Sequence, residues 1–270
     1  MRIVTVLPYQ NPVVNWGDVM RGLVTKMKNA GQFEGVEIDI DEGPFVEHGS
    51  ARHSEEALAN FAVGIIKKAR EHSESGKYDA IVFTGALDPG LAAARLVSKI
   101  PVAAAIHSSV HFASLIGERF GTLQGSGSSS LIVKHCVERY GLGHKLASVR
   151  YYDHEYDHEA TKVHEIVSKY KKEEWHNVPE AKKIIDDMTA QCIAAIEKDR
   201  VDSIIFASEP TQAFVDEVRQ RLDEAGYDEI PIICSYPAAL TMAMAMVNMR
   251  LAKAPRAYPS HALRAKPEYW

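Results

Sequence analysis

The strongest constraint in this chain is alternation. Short runs rich in β-branched residues trade places with helical stretches along nearly all of its 270 residues. A strand–helix rhythm closes most readily as parallel strands with helices laid over the sheet faces. The predicted strands are residues 2–7, 35–40, 80–84 and 100–106, then 119–123, 146–151, 201–207 and 230–235. Helices are predicted at 15–29, 54–74, from 88, at 110–117, 131–140, 179–199, 211–225 and 237–251. Four strands lie before Gly117 and four after it. The expected fold is therefore α/β, with two lobes of similar build, four-stranded parallel sheets and a ligand site in the cleft between them. The first lobe is expected to comprise residues 1–116 plus 237–270, its last helix crossing back, and the second residues 117–236.

Composition narrows the function classes. A formal net charge of −5 gives no electrostatic reason to expect nucleic acid or an anionic membrane as partner. No apolar run approaches the ~20 residues that span a bilayer. Three cysteines, Cys136, Cys192 and Cys234, are widely spaced and form neither a disulfide framework nor a zinc knuckle. A small-molecule partner and a cytoplasmic setting are expected. The apolar, Met-rich stretch 241–249 permits a homo-oligomer.

Ligands of open α/β sheets bind beyond the carboxyl ends of the strands, so the residues there are the candidates. After the third strand, Thr84, Gly85 and Ala86 leave open backbone that can cradle an anion through N–H groups. Asp88 reads as the N-cap of the next helix, with Pro89 in its first position; it is also the side chain near this turn that can move a proton. After the seventh strand, Ser208 and Glu209 offer a hydroxyl and a general base or acid, with Thr211 beside them; capping the following helix is the plainer role. His107 ends the fourth strand one helical turn before His111, a spacing open to acid–base work, to a metal pair or to simple packing. The stretch Gln124, Gly125, Ser126, Gly127 through Ser130 can hold an anion with amides and hydroxyls, and Tyr9 and Asn11 occupy the matching place after the first strand. The run 153–159 with His164 reads as a solvated charged face, with metal binding the alternative. Cys234 ends the last strand as a packed or a reactive thiol.

Several segments in order resemble the aspartate/glutamate/hydantoin racemase superfamily, closest to its hydantoin racemase branch. They are residues 79–91 with DPGL at 88–91, the strand 100–106, His111-Phe112-Ala113-Ser114-Leu115 and Tyr140-Gly141-Leu142. Leu146-Ala147-Ser148-Val149-Arg150, residues 202–206 and 231–239 complete the set. The resemblance implies two pseudo-symmetric Rossmann-like lobes, an active site in the cleft and no cofactor. It also implies a carboxylate-binding segment at 124–130. Such racemases move the proton with two cysteines, one per lobe, on opposite faces of the acidic carbon. Those positions fall here on Gly85 and Ser208, so both thiols are missing. A serine hydroxyl needs a neighbouring base to act at all.

The expected function is a cofactor-independent, racemase-type enzyme on a small carboxylate, hydantoin or related cyclic amide. With both family thiols missing, Glu209, His107 or Cys234 would move the proton. A lyase, decarboxylase or hydrolase on the same scaffold is the alternative, and a non-catalytic small-molecule binding protein the second.

Overall fold

The computed structural model describes residues 1–10, 15–45, 54–85, 87–125, 127, 130–152, 163, 165–166, 169–170 and 172–259. The strands are β1 (Arg2–Val6), β2 (Glu37–Asp41), β3 (Ala80–Phe83), β4 (Val102–Ala104), β5 (Phe120–Gln124), β6 (Leu146–Tyr151), β7 (Ser203–Phe206) and β8 (Ile232–Cys234). They form two parallel four-stranded sheets of the same order, β2-β1-β3-β4 and β6-β5-β7-β8.

Alternate residues of the central strands feed different helical layers, as the two-residue period requires. Ile3, Ala80 and Val82 pack with Met20 and Val24 of α1 (Trp16–Asn29), while Val4, Ile81 and Phe83 pack with Ile65 of α2 (Glu55–Glu74) and Leu91 of α3 (Leu91–Val97). In the second sheet, Ile204 and Phe206 meet Ile184 and Met188 of α6 (Pro179–Glu197). On its other face, Phe120 and Ile205 meet Val133 of α5 (Ser130–Arg139).

Two helices change partners. α4 (Ala105–Ile116) follows β4 without a loop, yet Ile106, Val110 and Ala113 pack with Phe120 and Ile205 of the second sheet. α9 (Ser235–Asn248) follows β8 without a loop, and Tyr236, Ala239, Leu240 and Ala243 join the core of the first sheet. Each half thus lends its last helix to the other, and the apolar burial of both ties the halves together.

The internal symmetry extends to single bonds. Asp79, just before β3, accepts the Arg2 N–H at 2.7 Å; Asp202, just before β7, accepts the Arg119 N–H at 2.9 Å. Thr5 and Tyr236 share a hydroxyl–hydroxyl hydrogen bond of 2.9 Å beneath the first sheet. By register, the counterparts are Thr122 and Ile106, and the Thr122 hydroxyl is accordingly left without a partner.

Several boundaries differ from the sequence expectation. The strand expected at 100–106 contracts to Val102–Ala104, so His107 lies in the first turn of α4 rather than at a strand end. The helix expected at 211–225 splits at Phe214 into α7 (Glu209–Ala213) and α8 (Val215–Glu224); Phe214 is buried edge-on against Trp175. Asp88 does not cap its own helix. α3 starts at Leu91 behind Gly90, whose φ of 70° only glycine adopts without strain, and Pro89 lies outside it.

Candidate active site

The carboxyl ends of β3 and β7 meet. Parallel register sets Phe83 between Val6 and Ala104, and Phe206 between Leu123 and Cys234, so Gly85 and Ser208 stand two residues beyond equivalent positions. From the second half, Glu209 reaches across and its Oε1 accepts the Gly85 N–H at 2.7 Å. Gly85 has φ 91°, a left-handed conformation, and a Cβ there would lie 3.4 Å from Pro8 Cγ. The turn thus turns an N–H, rather than a side chain, toward the other half.

Glu209 is only 9% exposed. Burial raises its pKa; the Gly85 N–H and its own amide oppose the rise, and the Asp88 charge adds to it. A buried carboxyl whose pKa is raised is a candidate to take and return a proton. Ser208 is the N-cap residue of α7 without a side-chain cap bond; its hydroxyl is 3.4 Å from that of Thr211. Thr211 is fully buried and donates to the Ser208 carbonyl at 2.5 Å, so it braces the turn.

Asp88 heads a second cluster. It is 3% exposed and sits at φ 42°. Its carboxylate accepts the N–H groups of Ile106 (3.0 Å) and His107 (2.6 Å), in the first turn of α4, and the Tyr140 hydroxyl (2.9 Å). Burial raises its pKa to about 6 against these bonds. The His107 ring lies between the Arg95 guanidinium, 3.4 Å from both ring nitrogens, and the rings of His111 and Tyr140. Burial, then Arg95 and His111, lower its pKa to about 3, so it is neutral at physiological pH. That removes His107 as an imidazolium acid. His111 turns Nδ1 to the His107 carbonyl at 2.7 Å rather than sharing a metal with it. Among the described residues, no group of three or more His, Cys, Asp or Glu is arranged to hold a metal.

Other predicted residues sit around these turns. Gln124 ends β5 wholly buried, with neither amide heteroatom hydrogen-bonded; the Thr84 hydroxyl is likewise buried without a partner. Gly125 and Gly127 follow Gln124, and a Cβ on Gly127 would press into the Tyr151 ring at 2.9 Å. Tyr9 stacks on Phe61 at 4.6 Å between centroids, packed against α2. Cys234 closes β8, and burial pushes its thiol up to about 12. Asn11, Ala86 and Ser126 lie outside the described residues, as do His154, His158 and His164 of the charged run. Arg95 was not singled out by the sequence, and Tyr140 was named only within the matching segment Tyr140-Gly141-Leu142, with no role given to it.

Two parallel sheets joined at acid-bearing strand ends define a two-lobed α/β protein of the racemase fold. A family model described as Asp/Glu/Hydantoin racemase matches residues 17–243, and the chain belongs to that family. A curated hydantoin racemase from Pseudomonas sp. (strain NS671) is 24% identical over 186 residues, 69% of this chain, and the match spans 65% of that relative's length. Allantoin racemase from Klebsiella pneumoniae has a similar fold, with TM-score 0.71 and 20% identity over 99% of both chains. Allantoin racemase from Pseudomonas fluorescens is also similar, with TM-score 0.70 and 18% identity over 96% of this chain and 97% of that one.

Proposed function

We propose that the chain is an isomerase that moves a proton at an activated carbon of a small cyclic amide, hydantoin or carboxylate, with Glu209 in place of a thiol. The observation that carries this reading is the Glu209 carboxyl, buried and held at 2.7 Å on the Gly85 amide where the two halves meet. In the proposed step, Glu209 takes the proton from a carbon next to a carbonyl. The C–H bond breaks, an O–H bond forms on Glu209, and the electron pair moves to the carbonyl oxygen. The Gly85 N–H, released as Glu209 turns to the carbon, is then a free donor for that oxyanion. A water on the opposite face then gives a proton to the carbon and its hydroxide takes the proton from Glu209, which completes the inversion and restores the carboxylate.

Gln124 supports the amide class of substrate. A buried primary amide with both heteroatoms unpaired can accept from a ring N–H and donate to a ring C=O, whereas a carboxylate would set an oxygen against its Oε1. The hydantoin and allantoin racemases among the relatives act on compounds of that kind by name.

One observation favours a second reading, one-sided cleavage such as decarboxylation. Gly85 offers no side chain for the opposite face, and a reaction that ends in a single protonation needs none.

The test is solvent deuterium exchange into a chiral 5-substituted hydantoin and into allantoin. Exchange with inversion supports isomerisation, and a product of lower mass supports cleavage. Glu209→Gln is expected to lower either rate by about 10²-fold or more while ligand binding persists. Near-normal turnover in that variant would remove Glu209 from the reaction.

A further inference from the structure

The short helix that carries Glu209 does not hold its own place. α7 has five residues, far too few for a helix that is stable by itself. The chain breaks at Phe214 before α8, so α8 does not continue α7 and does not set its axis. Inside the turn, the Thr211 hydroxyl and the Gln212 N–H both donate to the Ser208 carbonyl, at 2.5 and 3.3 Å. The Glu209 carboxyl is bonded to its own amide as well as to the Gly85 N–H, so it rides on the backbone of α7. Whatever fixes α7 against the first half therefore fixes the carboxyl against Gly85.

Gln212 makes that attachment. It lies on α7 three residues after Glu209 and is 4% exposed. Its Oε1 accepts the Tyr236 N–H at 3.3 Å in the first turn of α9, and its Nε2 donates to the Ser235 hydroxyl at 3.1 Å. That hydroxyl in turn donates to the Ala207 carbonyl at 3.1 Å. The Tyr236 amide can only donate, which fixes the way the Gln212 amide faces. Tyr236 is anchored in the core of the first half. Its hydroxyl is 2.9 Å from that of Thr5 on β1, and Thr5 pairs in register with Val82 on β3. β3 leads to Gly85. The links thus close a ring that runs from Gly85 through β3, Thr5, Tyr236, Gln212 and α7 to Glu209, and back to Gly85.

We infer that Gln212 is a positioning residue that sets the reach of Glu209 to the Gly85 amide. Both heteroatoms of its buried amide are paired, and both bonds go to α9 rather than to α7 itself. Without them, α9 still holds the end of β7 through Ser235 and Ala207, but it no longer holds the far end of α7. The helix is then free to turn about Ala207, and the 2.7 Å bond to Gly85 is left to hold it in place. The consequence for turnover rests on Glu209 as the proton carrier; the geometry does not.

The test reads the Gly85 amide directly and needs no substrate. The full chain is labelled with ¹⁵N at its 17 glycines, and the Gly85 signal is assigned by its loss in Gly85→Ala. Glu209→Ala gives the reference for an unbonded amide, expected to move upfield and to exchange with solvent about 10-fold faster or more. Gln212→Met, similar in length but without the amide, is expected to carry the Gly85 signal most of the way to that reference. Thr189→Val removes a buried hydroxyl bond to Ile185 within α6 and should leave the signal in place, which separates lost position from lost stability. A Gly85 signal unchanged in Gln212→Met, or moved as far by Thr189→Val, overturns the inference and leaves the proton-transfer reading standing. A Gly85 signal that responds in a chain that exchanges no substrate proton supports the inference and overturns that reading alone. If Gln212→Met does not fold, Ser235→Ala, which removes the partner of Gln212 Nε2 and the donor to Ala207, is read in the same way. An unchanged Gly85 signal there refutes the attachment.

Discussion

Replacing Asp88 by Asn separates the two effects of a buried carboxylate, and the size of each follows from the structure. In the unfolded chain this group ionises near 3.8, and in the folded chain burial raises it to about 6. Between those values the folded state binds more protons than the unfolded state. Stability therefore falls as pH rises through the window and is lowest above it. At about 1.4 kcal/mol per unit, the loss amounts to about 3 kcal/mol. Asn removes this loss but sets an NH₂ against one of the N–H groups that Asp88 accepts, which costs about 1 kcal/mol of capping. Relative to the unsubstituted chain, Asp88→Asn should be the less stable protein at pH 4 by about 0.5 kcal/mol and the more stable at pH 7 by about 2 kcal/mol. His107 acts in the opposite sense. Its pKa is lowered from 6.5 to about 3, so the unfolded state binds the extra proton and stability rises with pH across that range. The unsubstituted curve alone thus hides Asp88, whereas subtraction of the two curves cancels His107. Urea unfolding of both proteins at half-unit steps from pH 4 to 7.5 measures the difference. A difference that is flat, or that falls with pH, refutes the argument.

Three further outcomes follow from single residues. Gln124→Met, similar in volume, removes two buried polar atoms that lack partners; it should stabilise the free protein by about 1–3 kcal/mol, read as a raised Tm, and weaken ring-amide binding in calorimetry. Gly85→Ala forces an L side chain to φ 91°, so Tm should fall by an amount equivalent to about 1–2 kcal/mol; an unchanged Tm would show that the turn relaxes freely. Cys136 and Cys192 are buried and burial pushes their thiols up to about 12, so their labelling by a thiol reagent at pH 7.5 should proceed no faster than opening of the fold.

Strand and helix succession, the parallel sheets and the special status of the turns after the third and seventh strands were legible in the sequence. Each rests on local periodicity: 80–84 and 201–207 are apolar, β-branched runs ending in polar or glycine-bearing turns. The family resemblance was legible for the same reason, as an ordered set of short local matches, and the family match confirms it. What each turn residue does was less legible. Asp88 followed by Pro89 carries the signature of a helix cap, and Asp88 is indeed a cap, but of α4 and not of α3. His107 has the residue type of an acid–base catalyst, yet Arg95 and burial hold it neutral. Among the described residues, no helix is long and apolar enough to cross a membrane, in keeping with the absence of a spanning run in the sequence.

The meeting of Glu209 with Gly85 was decided by tertiary structure alone. The sequence marks Gly85 as open backbone at the place of a missing thiol and Glu209 as a candidate acid or base after a strand, with nothing to join the two. They lie 124 residues apart. Their contact depends on α4 and α9 each burying its apolar face on the other half's sheet, an exchange driven by non-directional apolar burial that leaves no local pattern to read. Sequence periodicity determines which residues stand at the ends of β3 and β7. The exchange of helices decides that those two ends face each other, and so turns a bare amide and a carboxyl into one site.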